Sequence, residues 1–283
     1  MMSDKSTKQD VRHFYDSIGW QKVSEGTYQN AQYEDLRPVS HAYIHKGHMR
    51  INRHLKRPGR YLLDAGSGPI QYPEYLTYSD GYDFRVCLDI SIVALEEARD
   101  RIGTEHGMFV VADVAALPFR EECFDGIVSL HTLHHLPADD YIPAFHALKR
   151  VLRPGATAAI VNGWSDSRFV NFFRKPMLLM ERIFRPQKKT TAAQENDGAQ
   201  KKEKKPSGTF VHKLDADGLR QQLGPEFPIE ILVWRSVSVR FLRAMIHPGL
   251  LGRFWLWLLY NLEELFPGFF GEKGQYPLII FSK

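Results

Sequence analysis

Two glycines and three aspartates lie at the ends of short apolar runs, where backbone and side chains can contact a ligand. Gly66 and Gly68 come directly after the apolar run that ends at Asp64, and Asp89 and Asp113 end the next two runs. Glycine lets the backbone approach a ligand closely, and a carboxylate accepts hydrogen bonds from hydroxyl and amino groups. These residue types predict a cofactor site, and the glycine turn alone is compatible with two cofactor classes.

The elements that must position these residues alternate between short apolar strands and helices. We predict seven strands, at Tyr61–Asp64, Phe84–Asp89, Met108–Asp113, Phe124–Leu130, Thr157–Val161, Ile229–Phe241 and Tyr276–Phe281. Strands separated by helices need crossover connections, which predict an α/β, Rossmann-like and mostly parallel sheet with helices on both faces. Because ligands bind at the carboxyl ends of such strands, we expect Asp64, Asp89 and Asp113 along one rim.

Composition narrows the function classes. The chain has 283 residues with 37 Lys plus Arg against 33 Asp plus Glu, a net charge of +4. So small an excess predicts no nucleic-acid partner, because phosphate binding needs a concentrated basic surface. Cys87 and Cys123 lie in apolar runs and are expected to be buried free thiols of a reducing compartment. Without an apolar leader or a run of the ~18–20 apolar residues that span a bilayer, we expect a cytoplasmic protein.

Changes in pattern divide the chain into four regions. We expect an N-terminal helical extension over residues 1–57, which packs on the sheet or covers its edge, and a cofactor-binding core over 58–163. Over residues 164–228 we expect a cap helix with a disordered insertion at 186–208. The insertion is too polar to bury the surface that would offset the entropy lost on ordering it. Residues 229–283 predict a pair of strands with an apolar helical insertion at 243–275.

A dinucleotide cofactor is the first alternative for the glycine turn. That motif needs a third glycine for close helix–strand packing, but Gly68 is followed by Pro69, Ile70 and Gln71. Asp64 also precedes the first glycine, where a carboxylate would repel a pyrophosphate and suit a cationic ligand group. The turn therefore favours a cationic nucleotide over a dinucleotide.

The segment from Leu62 to Val161 resembles the class I S-adenosylmethionine-dependent methyltransferases. The stretches that carry the resemblance are Leu62–Gly68, Asp89, Val111–Val114 with Leu117–Phe119, Phe124–Leu136 and Leu148–Ala156. They occur in the family's order and at matching spacing. This sequence departs from the family pattern at Ile70, where the family often has a third glycine. The larger side chain narrows the loop.

The resemblance implies S-adenosylmethionine as the cofactor, S-adenosylhomocysteine as the product, and no metal. Asp64 and the glycine backbone would hold the amino-acid end of the cofactor, Asp89 the ribose hydroxyls, and Asp113 the adenine amino group. The full set of expected cofactor-binding residues is Asp64, Ala65, Gly66, Ser67, Gly68, Asp89, Ile90, Ala112, Asp113, Val114, Ser129, Leu130, His131 and, from a lid, Tyr15.

Histidines after the fourth strand are the candidate catalytic residues. His131 and His135 could each act as the general base for an oxygen acceptor, since imidazole titrates near neutrality. Alternatively, His135 supports the loop and His131 lines the cofactor without handling a proton. A metal site from His131, His134 and His135 has no evident carboxylate partner.

A second histidine cluster comprises His41, His45 and His48, whose spacing places all three on one helix face. They could bind a metal or recognise the acceptor, or they could be polar residues on a solvent-facing helix.

The sequence predicts methyl transfer to a small, hydrophobic acceptor, most simply at oxygen. The helical caps at 169–185 and 243–275 are rich in aromatic and basic residues. They could pack on each other, or form an apolar, basic-rimmed mouth for a lipid- or quinone-like acceptor at a membrane surface. The alternative is a catalytically silent module of the same fold that binds a membrane surface or a protein partner. The sequence does not predict an oligomeric state.

Overall fold

The computed structural model describes residues 12–13, 16, 22–24, 27–28, 34–184, 211–212 and 214–283. The predicted insertion at 186–208 and the lid residue Tyr15 lie outside these ranges. Within them, no helix is both long enough and apolar enough to span a bilayer.

A seven-stranded, mostly parallel sheet forms the centre of the protein, as predicted. Its strands are β3 (Gly59–Ala65), β4 (Tyr82–Asp89), β5 (Gly107–Val111), β6 (Phe124–Leu130), β7 (Leu152–Val161), β8 (Glu230–Arg235) and β9 (Tyr276–Ser282). Their order is β5-β4-β3-β6-β7-β9-β8. Only β9 runs antiparallel to its neighbours in this sheet. The carboxyl ends of the other six strands and the start of β9 therefore lie along one rim.

Helices connect the strands. Their bounds are α1 (His41–Met49), α2 (Pro73–Leu76), α3 (Ile92–Ile102), α4 (Ala138–Val151), α5 (Arg168–Phe172), α6 (Arg174–Ile183), α7 (Ala216–Leu223), α8 (Val239–Met245), α9 (Gly252–Leu265) and α10 (Pro267–Lys273). Ser91 caps the start of α3, because its hydroxyl accepts a hydrogen bond of 3.2 Å from the Ala94 amide. That cap fixes the turn between β4 and α3 at the rim.

Both faces of the sheet are buried, which explains the nearly continuous apolar strands. Leu63 and Ile127 point into the larger core beneath α4, whereas Leu62 and Val128 point into a second core on the opposite face. Successive side chains of a strand alternate between faces, and each fully buried aliphatic side chain contributes ~1.5–3 kcal/mol. The strand ends that carry polar residues are thus held by a rigid frame.

The predicted long strand at 229–241 is wrong in its second half. β8 ends at Arg235 and α8 begins at Val239. The Ser238 hydroxyl accepts a 3.1 Å hydrogen bond from the Phe241 amide and begins the helix. A local cap therefore overrides the apolar pattern that suggested a continuous strand.

Two other segments differ in detail from prediction. The cap helix at 169–185 is divided into α5 and α6 at Phe173, and Pro176 lies in the first turn of α6, where proline costs no hydrogen bond. The N-terminal extension is not wholly helical, since β1 (Lys22–Ser24) and β2 (Thr27–Tyr28) pair antiparallel. Both cysteines are free thiols; Cys87 is buried as expected, whereas Cys123 is only half-buried.

Candidate functional site

The glycine turn follows β3 and crosses the end of β4. The amides of Gly66 and Ser67 both donate to the Leu88 carbonyl, at 2.6 and 3.1 Å. Gly66 has a φ of +77°, and a Cβ there would lie 2.2 Å from the Thr132 side chain. Glycine is thus required by both the backbone conformation and the close approach of the loop after β6.

Asp89 ends β4 directly beside this turn. Its Oδ2 accepts a 2.9 Å hydrogen bond from the Gly68 amide, and its Oδ1 accepts one of 2.9 Å from the Ser91 amide. Burial raises the pKa of the Asp89 carboxyl to about 6, although these backbone amides oppose the rise. A carboxylate has about four lone-pair sites, so these amides leave capacity to accept a hydrogen bond from a ligand.

Asp64, at the end of β3, is paired within the protein. Its carboxylate is buried and paired with the Arg85 guanidinium, whose Nε lies 3.1 Å from Oδ2. Burial raises the pKa of Asp64, and the adjacent positive charge opposes that rise. A direct contact of this carboxylate with a ligand would require the ion pair to open, so its role at the amino-acid end of a cofactor stays a prediction.

Asp113 closes the turn after β5 at the same rim. Its Oδ1 accepts a 2.9 Å hydrogen bond from the Ala115 amide. Ala112 is joined to β4 by a 3.1 Å hydrogen bond from its amide to the Asp89 carbonyl. The ends of β4 and β5 therefore lie side by side, as the parallel topology predicts.

Several expected cofactor-binding residues have side chains turned into the protein. Ser129 is buried, and its hydroxyl donates a 2.7 Å hydrogen bond to the Ala65 carbonyl. Val114 packs in the larger core, and Leu130 packs against the second core. Ile90 is half-buried between Asp89 and the helix cap. Any contact of Ser129 or Val114 with a cofactor would have to come mainly from the backbone.

His131 follows β6 with a φ of +56°, an uncommon conformation for a residue with a Cβ. Its amide donates to the Val161 carbonyl at 2.8 Å. Its ring lies among aromatic side chains, with centroids 5.0 Å from Trp234 and 5.4 Å from Tyr276. Burial, with the nearby Arg235 charge, lowers the pKa of His131 to about 3. Its imidazole is therefore neutral at pH 7 and a weak proton acceptor.

The other two histidines of this loop lie together. The ring centroids of His134 and His135 are 4.3 Å apart. His134 is buried, with Nδ1 3.4 Å from Asn162 Oδ1, and its carbonyl accepts from the His212 amide at 2.7 Å. These contacts favour loop support for His134, whereas base catalysis by His135 stays a prediction.

A polar cluster at the rim brings together residues that the sequence analysis did not connect. It comprises the buried residues Glu34, His48, Trp234 and Arg235 and the half-buried Glu74. His48 is 1% exposed, so a solvent-facing position for this histidine is wrong, whereas His41 and His45 are exposed. Ending the predicted strand at Arg235 would have placed Trp234 and Arg235 at the rim, but the apolar pattern beyond them concealed that end.

Glu34 and Arg235 form a buried ion pair in this cluster. Burial raises the pKa of Glu34, but Arg235 and His48 outweigh it and hold that pKa at about 2. Burial also lowers the pKa of Arg235, and Glu34 raises it above its ordinary value. Both groups are therefore charged across the physiological range.

The described residues contain no group of three or more His, Cys, Asp or Glu side chains arranged to hold a metal ion. By sequence alone, the histidines at His41–His48 and at His131–His135 are candidate metal ligands.

Comparisons with known proteins agree with this architecture. Residues 63–160 match the family model described as a methyltransferase domain. The chain is 34% identical over 98 residues to the malonyl-[acyl-carrier protein] O-methyltransferase of Salmonella typhimurium, covering 35% of this chain and 37% of that protein. It is 36% identical over 103 residues to an Arabidopsis thaliana tRNA (carboxymethyluridine(34)-5-O)-methyltransferase, covering 36% of this chain and 24% of that protein. The matched segment thus spans less than half of either relative.

The fold similarity extends beyond the matched segment. The crystal structure of the [4+2]-cyclase SpnF aligns with 98% of this chain and 97% of its own, with a TM-score of 0.51 and 17% identity. That similarity concerns the fold alone. The match of residues 63–160 to the methyltransferase domain model, together with the strand order, indicates a domain of this kind over that part of the chain.

Proposed function

We propose that this protein transfers a methyl group from S-adenosylmethionine to a small, hydrophobic acceptor, at an oxygen atom. The observation that carries the proposal is the Asp89 carboxylate, fixed by the Gly68 and Ser91 amides at the rim of a methyltransferase domain. The relatives that support oxygen as the target include the malonyl-[acyl-carrier protein] O-methyltransferase.

The residues at the rim fit this cofactor. Asp89 has lone pairs left to accept hydrogen bonds from the ribose hydroxyls, and Asp113 stands at the end of the neighbouring strand. When bound, the cofactor supplies a methyl group activated by its sulfonium. The protein's part is to align this group with the acceptor and exclude water from the site.

The cap helices support a hydrophobic acceptor delivered from a membrane surface. Leu178, Leu179 and Ile183 of α6 are 50–61% exposed, and Phe254, Trp255 and Trp257 of α9 are 48–56% exposed; we call these six residues the apolar patch. Exposed Arg174, Lys175 and Arg182 lie on the same helix as the first three. Exposed aromatic and aliphatic groups beside basic side chains are typical of surfaces that bind anionic membranes.

A tRNA acceptor is the second candidate, because one relative of 36% identity carries that activity in its name. The net charge of +4 over 283 residues favours the small acceptor.

The test is calorimetric titration of S-adenosylmethionine and S-adenosylhomocysteine into the wild-type protein and Asp89→Ala. We expect the substitution to weaken binding by at least tenfold, since a hydrogen bond to a charged group contributes ~1.5–3 kcal/mol. Asp83→Ala, at an exposed position of the same strand, is the matched control and should bind normally. Equal affinities for Asp89→Ala and wild type would contradict the assigned site.

Transfer itself is tested with S-adenosylmethionine carrying a labelled methyl group and a lipid extract, a quinol mixture or total tRNA as acceptor. Label in the lipid or quinol fraction would support the proposal, and label in tRNA the second candidate. Cofactor binding with no transfer to any of the three would favour the catalytically silent module.

A further inference from the structure

His48 occupies an unusual environment for an imidazole. It is 1% exposed, and its Nδ1 lies 3.4 Å from Glu74 Oε2. Within the described part of the chain its Nε2 has no hydrogen-bond partner; the nearest carboxylate oxygen, Oε2 of Glu34, is 3.8 Å away. With the Nδ1 proton directed at Glu74, the other nitrogen is free to accept a proton.

Two further buried donors in this cluster lack partners among the described residues. They are Nε1 of Trp234 and Nε of Arg235, whose side chains are 1% and 4% exposed. Buried polar atoms in native proteins are nearly always hydrogen-bonded, so unpaired ones point to a ligand. The Trp234 ring stacks on His48 with centroids 5.3 Å apart, and Arg235 Cζ lies 5.2 Å from the Trp234 ring.

The cluster adjoins the cofactor rim on two sides. The His131 ring, on the loop after β6, contacts Trp234 at a centroid distance of 5.0 Å. Tyr72 and Tyr75, just beyond the glycine turn, lie 5.0 and 5.1 Å from the His48 ring. A molecule bound against His48 would therefore be flanked by aromatic rings and lie next to the site proposed for the cofactor.

We propose that His48, oriented by Glu74, accepts the proton of a phenol or enol acceptor whose oxygen is also hydrogen-bonded by Trp234 and Arg235. This inference rests on the proposed methyl transfer. In the reaction the oxygen forms a bond to the methyl carbon as its O–H bond breaks. The proton moves to His48 Nε2, and the electron pair of the carbon–sulfur bond goes to sulfur, giving the neutral thioether.

The charges around His48 favour a neutral acceptor that ionises in place. The titratable groups that face it are Glu34, Glu74, Tyr72, Tyr75, Arg235 and, through Trp234, His131. Hydrogen bonding to His48, opposed by burial, lowers the pKa of Glu74 to about 2, so two carboxylates repel an anion that arrives charged. The developing oxyanion is instead stabilised by the Trp234 N–H and the Arg235 guanidinium.

His131 is the competing base, and its position supports His48 instead. Its pKa of about 3, set by burial and the Arg235 charge, makes it a poor proton acceptor near neutrality. Its ring contacts Trp234 and Tyr276, which suits a role in shaping the site.

The test uses 4-nitrophenol as the acceptor probe and protein saturated with S-adenosylhomocysteine, in a buffer one pH unit below the pKa of the free phenol. We expect the wild-type protein to bind the probe in its ionised form, which is detected by the visible absorption of 4-nitrophenolate. His48→Gln should lower the ionised fraction of bound probe at least tenfold, and Trp234→Phe, which keeps a ring but removes the N–H, should weaken binding about tenfold.

Matched controls separate this effect from misfolding and from failure of the proposed function. His41→Gln changes an exposed residue and should behave like wild type. Every variant must bind S-adenosylhomocysteine; absence of that binding in the wild-type protein would sink the proposed function itself. If the cofactor binds but the probe stays protonated, fails to bind, or ionises equally in His48→Gln, the inference is wrong while methyl transfer stands.

Discussion

The Gly68 amide donates a 2.9 Å hydrogen bond to Oδ2 of Asp89, which fastens the glycine turn after β3 to the end of β4. The bond couples two predicted cofactor contacts, because a change in the charge of Asp89 alters both its own hydrogen bonding and the position of the turn. We therefore expect the protonation state of Asp89 to affect ligand binding at this turn.

Affinity for the cofactor's nucleoside should fall as the pH falls through about 6. Burial raises the pKa of Asp89 from 3.8 to about 6, so protonation below that value removes the form that accepts hydroxyl hydrogen bonds. The affinity for the ligand then falls by up to about tenfold for each pH unit below this pKa. Titration with 5′-methylthioadenosine, which lacks the amino-acid group, isolates this effect. Asp89→Asn should give a flat profile, and a sloping one would assign the effect to another group.

Gly66→Ala should destabilise the protein and impair nucleotide binding. The new Cβ would overlap the Thr132 side chain, which costs ~1–3 kcal/mol in a packed site, in addition to ~1–2 kcal/mol for the positive φ. Gly103→Ala is the control, since that glycine has a φ of +79° but no atom within 4 Å of the added Cβ. Urea unfolding should show a larger loss of unfolding free energy for Gly66→Ala than for Gly103→Ala. Equal losses would show that backbone strain alone accounts for the effect.

Arg85→Met should be strongly destabilising, because it leaves the Asp64 carboxyl buried without its cation. Breaking one partner of a buried pair costs ~3–5 kcal/mol, whereas replacing both partners with apolar residues is often tolerated. Urea unfolding of Arg85→Met, Asp64→Leu/Arg85→Met and the exposed control Arg99→Met checks this expectation. A double variant as unstable as the single one would show that the loss comes from packing rather than from charge.

The apolar patch should bind vesicles that contain anionic lipid. Each basic residue near such a surface contributes ~1 kcal/mol, so Arg174→Ser and Lys175→Ser should each lower the partition coefficient about fivefold. Trp255→Ser with Trp257→Ser should lower it further by removing groups that enter the interface. Co-sedimentation with phosphatidylglycerol vesicles measures this, with Arg99→Ser as the control. Equal binding by all variants would exclude the patch as the contact surface.

Much of the fold could be predicted because its causes are local. Alternating apolar strands and helices indicate a parallel sheet, and strand-end residues such as Asp89 and Asp113 then lie at one rim by topology alone. The order and spacing of these residues also carry the family resemblance, which implies the cofactor class.

Only the tertiary structure decided which polar groups are paired with other side chains and which are not. Asp64 and Asp89 look equivalent as strand-end carboxylates. Arg85 from the neighbouring strand pairs with the first, whereas backbone amides of the described residues hold the second. His48 likewise looks like His41 in sequence, yet packing against β8 buries it beside Trp234. Burial and pairing depend on contacts between residues far apart in the chain. Helix spacing could therefore place the histidines on one face, but it could not predict which of them is buried.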